Sequence, residues 1–499
     1  MSRASISTGN IQMGSQYQKS KQQPVDPKAA CHLLILGNFS GIKEAESTVK
    51  PIQVDRDNFD EIFARLSPSI QFEIKDEGAI KTAIKFSELD DFEPDALFEN
   101  VELFSKLKAQ RRRLASDASF EATALELGLI AQEKPASPTQ TSEEPAATGL
   151  LDSILSETQN RVKQDSTSTI ASDLIRDIVR PYSQPASNPK KADCLSTMDQ
   201  AISAQLNKLL HYADFQNLES AWRGLYFLVK NLDTDANLKI FILDISKNEL
   251  QHLSNTDDIK SSQLYKHIIT PFHDTPGGKP WAAMLGNYIM NDAAEDIMLM
   301  ERMGSLASAA NITFISAASP HFVKCEKISK TPDFDDWSFS SINAIEQAWN
   351  YLRQSPQAKH LALCFPQFLL RIPYGKKSRP VETFDFEEMP EMQHDNYLWG
   401  NGIWLVAYSL GESYSLHKWQ FLPGQVSEKS NLPIHVYVDD GEQTTKPCAE
   451  TLLTEKAINH VRESGVIPLI SIKNQDQVRL GRFFSLFAEP TLIAGNWSG

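Results

Sequence analysis

The stretch HLLILGNFSG, residues 32–41, decides how the first part of the chain folds. Its apolar run from Leu33 to Leu36 stops at Gly37, a pattern that predicts a buried β-strand followed by a turn. A buried strand needs elements that cover it, because its apolar side chains must be removed from water. The stretch therefore belongs to the core of an α/β unit, whose other elements lie further along the chain.

The residues that follow complete a small α/β domain. The apolar spacing of DNFDEIFARL predicts a helix that ends before Pro68, after which SIQFEI and IKTAIKF alternate as two strands. Pro94 opens a second helix, whose apolar face carries Leu97, Phe98, Val101, Phe104 and Leu107. We expect this domain to span residues 29–131 and to follow a polar, flexible arm at residues 1–28.

A second body is expected after a linker. Residues 132–148, QEKPASPTQTSEEPAAT, have the Pro, Ser, Thr and Glu bias of a disordered segment and should separate two folded bodies. The next residues place an apolar stripe on one side of a short helix, formed by Leu150, Leu151, Ile154 and Leu155. This helix either packs on its own domain or receives a docking partner, and both interpretations stay open.

The second body alternates strands with helices. A helical segment at 149–192 leads into residues 193–499, where an amphipathic stretch with a break near 211–214 predicts two helices. Five apolar runs predict strands, and GIWLVAYSL (402–410) fits a strand or a helix. The alternation predicts an α/β fold with a mixed β-sheet core covered by helices.

Composition and charge exclude several classes of protein. A formal net charge of −15 and a pI near 5.3 argue against a nucleic-acid partner, which needs clustered Lys and Arg. The one basic run, at residues 108–113, ends a predicted helix and is typical of a solvated terminus. Neither a signal peptide nor a membrane-spanning run is visible, and the 5 cysteines are far apart. We expect a cytoplasmic protein without membrane insertion.

Motifs for cofactors and metals are absent from the sequence. TPGGKP (275–280) lacks the Walker spacing, since Lys279 is followed by Pro280 rather than Ser or Thr. The 11 histidines are scattered, without an HExxH pair, and no GxSxG elbow occurs. We therefore expect no cofactor, no metal and no catalytic residue.

One loop keeps an enzymatic alternative open. Residues 382–395 collect carboxylates around His394, and a hydrolase would need one shielded and one solvated carboxylate there. Glu387, Glu388 and Glu391 lie in a polar, Pro-punctuated loop, so we expect all three to be solvated. The interleaved aromatic residues predict a contact surface instead; they are Phe384, Phe386, Tyr397 and Trp399.

Two stretches resemble the subunits of the type VI secretion contractile sheath. Residues 32–114 resemble the small subunit (TssB, or VipA) through RDNFDE, a strand pair and the DFEPD helix start, in this order. Residues 149–488 resemble the large subunit (TssC, VipB or EvpB) through NLESAWRGL, RIPYG and YLWGN. The resemblance implies a sheath-protomer fold and a non-enzymatic structural role, with both subunits fused in one chain.

The resemblance also implies partners and contact residues. Expected partners are other sheath protomers, an inner tube protein, baseplate components and an AAA+ recycling unfoldase that grips the helix with Leu150, Leu151, Ile154 and Leu155. Residues expected to pack protomers are Phe215, Leu218, Trp222, Arg223, Arg371, Tyr374, Phe384, Phe386, Tyr397 and Trp399.

The end of the chain departs from the resemblance. Large subunits continue past FFSLF to terminal strands that pair with a neighbour, whereas this sequence ends at TLIAGNWSG. The chain then either polymerises with help from another protein or is a specialised sheath relative that terminates, nucleates or decorates the array, and the shortened end favours the second. A soluble adaptor that binds sheath components is a further alternative, and cross-linking to a sheath in intact cells distinguishes it from both.

Overall fold

The computed structural model describes seven parts of the chain: residues 29–42, 50–74, 80–130, 179, 191–329, 333–439 and 441–497. The predicted arm (1–28), the predicted linker (132–148) and the helix with Leu150, Leu151, Ile154 and Leu155 lie outside them. We call residues 29–130 the small segment and residues 191–497 the large segment.

The small segment holds four strands and four helices among its described residues: β1 Cys31–Gly37, β2 Ile52–Val54, α1 Phe59–Leu66, β3 Ser69–Ile74, β4 Ile80–Lys85, α2 Pro94–Asn100, α3 Glu102–Ala115 and α4 Phe120–Glu126. The predicted strand pair β3–β4 is antiparallel, as the alternation indicated. The helix predicted from Pro94 is two helices, because Val101 has an extended backbone (φ −80°, ψ 127°). The bend still buries Phe98 and Phe104.

The large segment confirms the predicted alternation. Its helices are α5 Lys191–Leu210, α6 Ala213–Asn231, α7 Lys247–Leu253, α8 Gln263–Ile268, α9 Ala294–Ala310, α10 Asn343–Gln354, α11 Ile403–His417 and α12 Glu455–Glu463. Its strands are β5 Leu238–Asp244, β6 Trp281–Met290, β7 Thr313–Ala318, β8 Leu361–Phe365, β9 Phe368–Leu369, β10 Trp399–Gly400, β11 Glu428–Lys429, β12 His435–Asp439, β13 Glu442–Lys446, β14 Val466–Ser471 and β15 Val478–Leu480. The predicted break separates α5 from α6, and GIWLVAYSL forms part of α11.

One sheet joins the two segments. In the described residues it has nine strands in the order β11-β15-β14-β8-β7-β6-β1-β5-β2. Strands β14, β8, β7, β6, β1 and β5 run parallel, and β2, β15 and β11 run antiparallel to their neighbours. This confirms the predicted α/β fold with a mixed sheet.

The two bodies predicted on either side of the linker share one sheet in the described residues. Strand β1 of the small segment lies in the middle of the sheet, between β6 and β5 of the large segment. Its side chains alternate between two cores: Leu33 and Ile35 face one, and Leu34 and Leu36 face the other. An apolar strand without a polar face is stable only when both faces are covered, and the large segment supplies that cover.

The two cores lie on opposite faces of the sheet. Helices α1–α6 and α11 contribute to the first core, and α7–α10 and α12 contribute to the second. The first core contains helices from both segments, so their interface is continuous with the hydrophobic interior. No helix in the described parts of the chain is long and apolar enough to cross a membrane.

Candidate functional site: the interface between the segments

Trp222 of α6 is the centre of the aromatic contact between the segments. Its ring centroid lies 5.6 Å from that of Phe39, 5.7 Å from Phe59 and 4.3 Å from Phe63, all in the small segment. Its Nε1–H donates to the Phe39 carbonyl oxygen at 2.7 Å. A buried indole with a satisfied N–H combines a large apolar contact with a fixed orientation.

Further aromatic pairs extend this contact along α6. Phe215 packs 5.9 Å from Phe86 and 5.4 Å from Phe92, measured between ring centroids. Leu218, one turn further, is also buried. These residues and Trp222 lie on one helical face, which is therefore covered by the small segment.

The turn after β1 is tied to the large segment by Asp244, which ends β5. Asp244 Oδ1 accepts from the backbone N–H groups of Phe39 and Ser40 at 2.8 and 3.1 Å. Its Oδ2 accepts from the Ser40 hydroxyl at 2.8 Å. The NFSG turn therefore has a fixed position beside the sheet.

A network of buried charges lies beside the aromatic contact. Glu219 Oε1 accepts from Arg223 Nε at 2.7 Å and from Arg371 Nε at 2.8 Å. Arg223 and Glu219 are one helical turn apart on α6, so the pair is positioned by helix geometry. Arg371 comes from the RIPYG segment, and it is almost completely buried.

Glu388 is the second carboxylate that pairs with Arg371. The expectation that Glu388 is solvated is wrong, because its side chain is buried. Arg371 Nη1 and Nη2 donate to its two oxygens at 2.7 and 3.0 Å, in a bidentate pair. The Tyr374 N–H donates to Oε2 at 2.8 Å, and His211 Nε2 lies 3.8 Å from Oε1. Glu387 and Glu391 are exposed, as expected. Glu388 is buried because the loop folds back over Arg371.

The small segment completes this network through Glu93. Glu93 Oε1 accepts from Arg223 at 3.1 Å and from Arg379 at 2.7 Å. Asp95, two residues later, accepts from the backbone N–H groups of Glu382 and Thr383, both at 3.1 Å. Three arginines face three glutamates, so the charges balance across the interface.

The charges alter the ionisation of the groups that they surround. Burial alone would raise the pKa of Glu388, but the charge of Arg371 and the hydrogen bonds at the carboxylate outweigh it and lower the pKa to about 2. Burial alone would lower the pKa of Arg371, but Glu219 and Glu388 outweigh it and hold the pKa well above its usual range. Glu388 and Arg371 are therefore both charged at neutral pH.

Eight of the ten residues expected to pack protomers are buried, and Arg223 and Trp399 are half-buried. Phe384 packs 5.0 Å from Phe98 of the small segment and 5.9 Å from Phe386, between ring centroids. The guanidinium of Arg371 lies over the ring of Tyr374, with its central carbon 4.4 Å from the ring centroid. Phe384 therefore belongs to the interface between the segments, with Phe215, Leu218, Trp222 and Arg223. Arg371, Tyr374 and Phe386 pack behind them within the large segment.

Tyr397 and Trp399 lie away from the interface between the segments. The Tyr397 hydroxyl and His435 Nδ1 are 2.8 Å apart, and Trp399 Nε1 donates to the His394 carbonyl oxygen at 2.9 Å. Both contacts are within the large segment. They therefore do not extend the interface between the segments; Tyr397 is buried and Trp399 is half-buried.

In the hydrolase alternative, His394 would act with a carboxylate of residues 382–395, but the side chains that contact His394 come from other parts of the large segment. His394 Nε2 lies 3.2 Å from Glu450 Oε1, and Lys446 Nζ lies 2.9 Å from His394 Nδ1. Glu388 is bound by Arg371 instead. Among the described residues, no group of three or more His, Cys, Asp or Glu side chains is arranged to hold a metal.

Sequence reasoning missed Glu219, Glu93, His211 and the small-segment aromatics. The spacing of Glu219 and Arg223, i and i+4 in NLESAWR, is a signal for a helical ion pair and was available. Glu93 lies in the DFEPD motif, but its arginine partners are 130 and 286 residues away. Only the fold brings them together.

Comparisons with known proteins match both segments. The family model described as "EvpB/VC_A0108, tail sheath N-terminal domain" matches residues 192–486, and the model described as "Type VI secretion system, VipA, VC_A0107 or Hcp2" matches residues 17–119. The type VI secretion system sheath protein TssC1 of Pseudomonas aeruginosa is 32% identical over 322 residues. This match covers 62% of the present chain and spans 62% of that relative. The chain therefore belongs to the EvpB tail-sheath family of type VI secretion systems, and it carries a VipA-family segment before the sheath domain.

Proposed function

We propose that this chain is a structural protomer of a type VI secretion contractile sheath, in which the small-subunit-like and large-subunit-like segments act as one unit. The observation that supports this most strongly is strand β1, which the small segment inserts between β5 and β6 of the large segment. The inserted strand and the balanced ion network make the two segments one body. Fusion in one chain gives them a one-to-one ratio.

In this function the protomer transmits force and does not transform a substrate. Copies packed by heterologous contacts form a helical array, and a change between two packings of that array moves an inner tube. The energy is stored in contacts between protomers. A rigid protomer is required, and the buried interface between its segments supplies that rigidity.

The proposed partners follow from this role. They are other sheath protomers or subunits, an inner tube protein, baseplate components, and an AAA+ unfoldase that binds the segment with Leu150, Leu151, Ile154 and Leu155. We place the array in the cytoplasm. We also propose that the chain is not an enzyme.

Negative-stain electron microscopy tests the function. The full chain is purified alone and also co-produced with the proteins of its genomic neighbourhood. Hollow cylinders in either sample support a sheath protomer, and cylinders from the chain alone exclude a variant that only terminates, nucleates or decorates an array. Dispersed single particles in both samples would contradict the proposal.

A further inference from the structure

Three titratable side chains away from the interface between the segments are joined by hydrogen bonds. Lys446 Nζ lies 2.9 Å from His394 Nδ1, and His394 Nε2 lies 3.2 Å from Glu450 Oε1. Glu450 is buried, and its Oε2 accepts from the backbone N–H of Gln367 at 2.8 Å. Glu450 therefore has a fixed position, and it orients the imidazole of His394 in turn.

These contacts assign the tautomer of His394. An ionised carboxylate only accepts hydrogen bonds, so Nε2 carries the hydrogen and donates it to Glu450. Nδ1 then has the free electron pair, to which the ammonium of Lys446 donates. The imidazole is therefore placed to take a proton from Lys446, while the charge of Glu450 stabilises the imidazolium that forms.

The amine of Lys446 lies beside two aromatic rings. Its Nζ is 5.5 Å from the ring centroid of Tyr397 and 5.5 Å from that of Trp399, and the side chain is half-buried. Burial lowers the pKa of Lys446, although the charge of Glu450 opposes this change. A larger fraction of this amine is therefore uncharged at neutral pH than in an exposed lysine, and the uncharged amine is the nucleophile.

A cleft of about 860 Å³ gives small molecules access to these residues. It lies at the carboxyl ends of parallel strands, since its lining includes Asn38 after β1 and Ser246 after β5. His394 and Glu450 also line it. The amine of Lys446 is half-buried and within hydrogen-bond distance of His394, so we expect small reagents to reach it more readily than bulky ones.

We propose that Lys446 is a modification site that takes an acyl group from small acyl phosphates, with His394 as the base and Glu450 as the residue that positions it. His394 takes one proton from the ammonium, and the uncharged amine attacks the carbonyl carbon. A C–N bond forms, and the C–O bond to the phosphate breaks with its electron pair on the phosphate. The second proton leaves with the phosphate, the amide keeps the third, and the imidazolium returns its proton to water.

This reaction consumes the lysine once and is not a turnover. It is therefore compatible with a structural protein, and it does not depend on the proposed sheath function. The amide carries no charge, so acylation removes a cation from the first residue pair of the β12–β13 hairpin, where Lys446 faces His435.

Site-resolved acetylation of the purified full chain tests this. The protein is incubated with acetyl phosphate at pH 7.5, and the amines that remain are labelled with deuterated acetic anhydride in denaturant. Mass spectrometry then gives the light-to-heavy ratio at each lysine. We expect Lys446 to react about fivefold faster than Lys377 and Lys473, which are exposed and lie outside the cleft. A rate at Lys446 no higher than theirs would overturn the proposal without any variant.

The variant His394→Gln separates the effect of the base from the effect of burial. Glutamine does not take a proton at neutral pH, so the rate at Lys446 should fall about tenfold. His252→Gln is the matched control, since His252 is exposed on α7, and it should leave the rate unchanged. Circular dichroism and the rates at Lys377 and Lys473 check that both variants are folded. An unchanged rate in His394→Gln, or an equal fall in His252→Gln, would overturn the role of His394.

The variant Glu450→Gln tests the positioning residue. It keeps a side chain of the same shape that still accepts a hydrogen bond from the imidazole, but it removes the charge that stabilises the imidazolium. We expect the rate at Lys446 to fall about threefold while the rates at Lys377 and Lys473 stay the same. An unchanged rate at Lys446 would contradict the role of Glu450 in the proposal.

Discussion

Arg371 is the centre of the buried ion network beside the interface. It donates to Glu219 and Glu388, and its guanidinium lies against the ring of Tyr374. Buried charges are tolerated only where each has a partner, because desolvation is costly and the attraction of a well-placed partner offsets it. Glu219 then links Arg371 to Arg223, which reaches Glu93 of the small segment.

Removing this guanidinium should therefore destabilise the whole chain. We expect Arg371→Met to lower the free energy of unfolding by roughly 3–5 kcal/mol, because Glu388 stays buried without its bidentate partner. Urea unfolding followed by tryptophan fluorescence measures the change. Arg479→Met is the control, since Arg479 pairs with Glu428 at the surface and should cost about 1 kcal/mol or less. Equal effects of the two variants would contradict the role of the buried network.

Glu388 should make stability depend on pH in the acidic range. Its pKa falls from 4.5 to about 2 on folding, so the unfolded chain binds a proton that the folded chain does not bind between these values. Stability contributed by Glu388 is present above pH 4.5 and is lost as the pH falls towards 2. Unfolding curves between pH 6 and pH 2 should show a smaller acid loss in Glu388→Gln than in the parent chain.

The matched control for this pH dependence is Glu428→Gln at the surface. It should keep the acid loss of the parent chain. Circular dichroism at pH 7 checks that both variants are folded. An identical pH dependence in Glu388→Gln and the parent chain would show that Glu388 does not titrate as proposed.

The sequence predicted that Arg371 and Tyr374 make contacts, but it did not predict that their neighbour Glu388 is buried. RIPYG was recognisable, and Arg371 and Tyr374 were both expected to make contacts. Glu388 was expected in water, because a polar loop ordinarily leaves its carboxylates solvated. Its burial depends on the position of Arg371 in three dimensions, which no local pattern encodes.

Strand β1 is the element that makes two segments one fold. Seven residues from the small segment pair in parallel with β5 on one side and β6 on the other. The run HLLILG predicted a buried strand correctly. The sequence did not predict its neighbours, because pairing between strands some 200 residues apart depends on long-range packing rather than on local period.

A polar substitution in β1 should disrupt the core that Leu34 faces, and with it the sheet. We expect Leu34→Asp to abolish soluble expression, because an unpaired carboxylate would be buried in the centre of the sheet. Val438→Asp is the matched control, since Val438 lies in the β12–β13 hairpin with 63% of its surface exposed. Soluble yield and thermal unfolding measure both. A soluble Leu34→Asp chain with the parent melting temperature would contradict the central position of β1.

Local sequence patterns predicted the helices only in part. The break between α5 and α6 was predicted from the sequence, and the apolar run in α11 was left open between strand and helix. Its residues are buried almost all round, so it has no polar face to mark a helical period. The bend at Val101 was missed because the apolar spacing continues through it.

At the scale of the whole molecule, the small and large segments share one sheet, both hydrophobic cores and one network of charges. The Pro, Ser, Thr and Glu bias of residues 132–148 indicated a boundary between two bodies. It does not divide the fold, because the elements before it are completed only by the elements after it. The interface of aromatic rings and paired charges is the part of the molecule that family resemblance alone would not have located.

The most direct test of this claim is to cut the chain between its segments. A specific protease site is placed in residues 132–148 of the purified full chain, cleavage is checked on a denaturing gel, and the cut protein is run on size-exclusion chromatography in 1 M salt. The account predicts that both fragments elute together in the volume of the uncut chain, because β1 and the buried ion network remain in place. Separation of the cut chain into two folded fragments would contradict it.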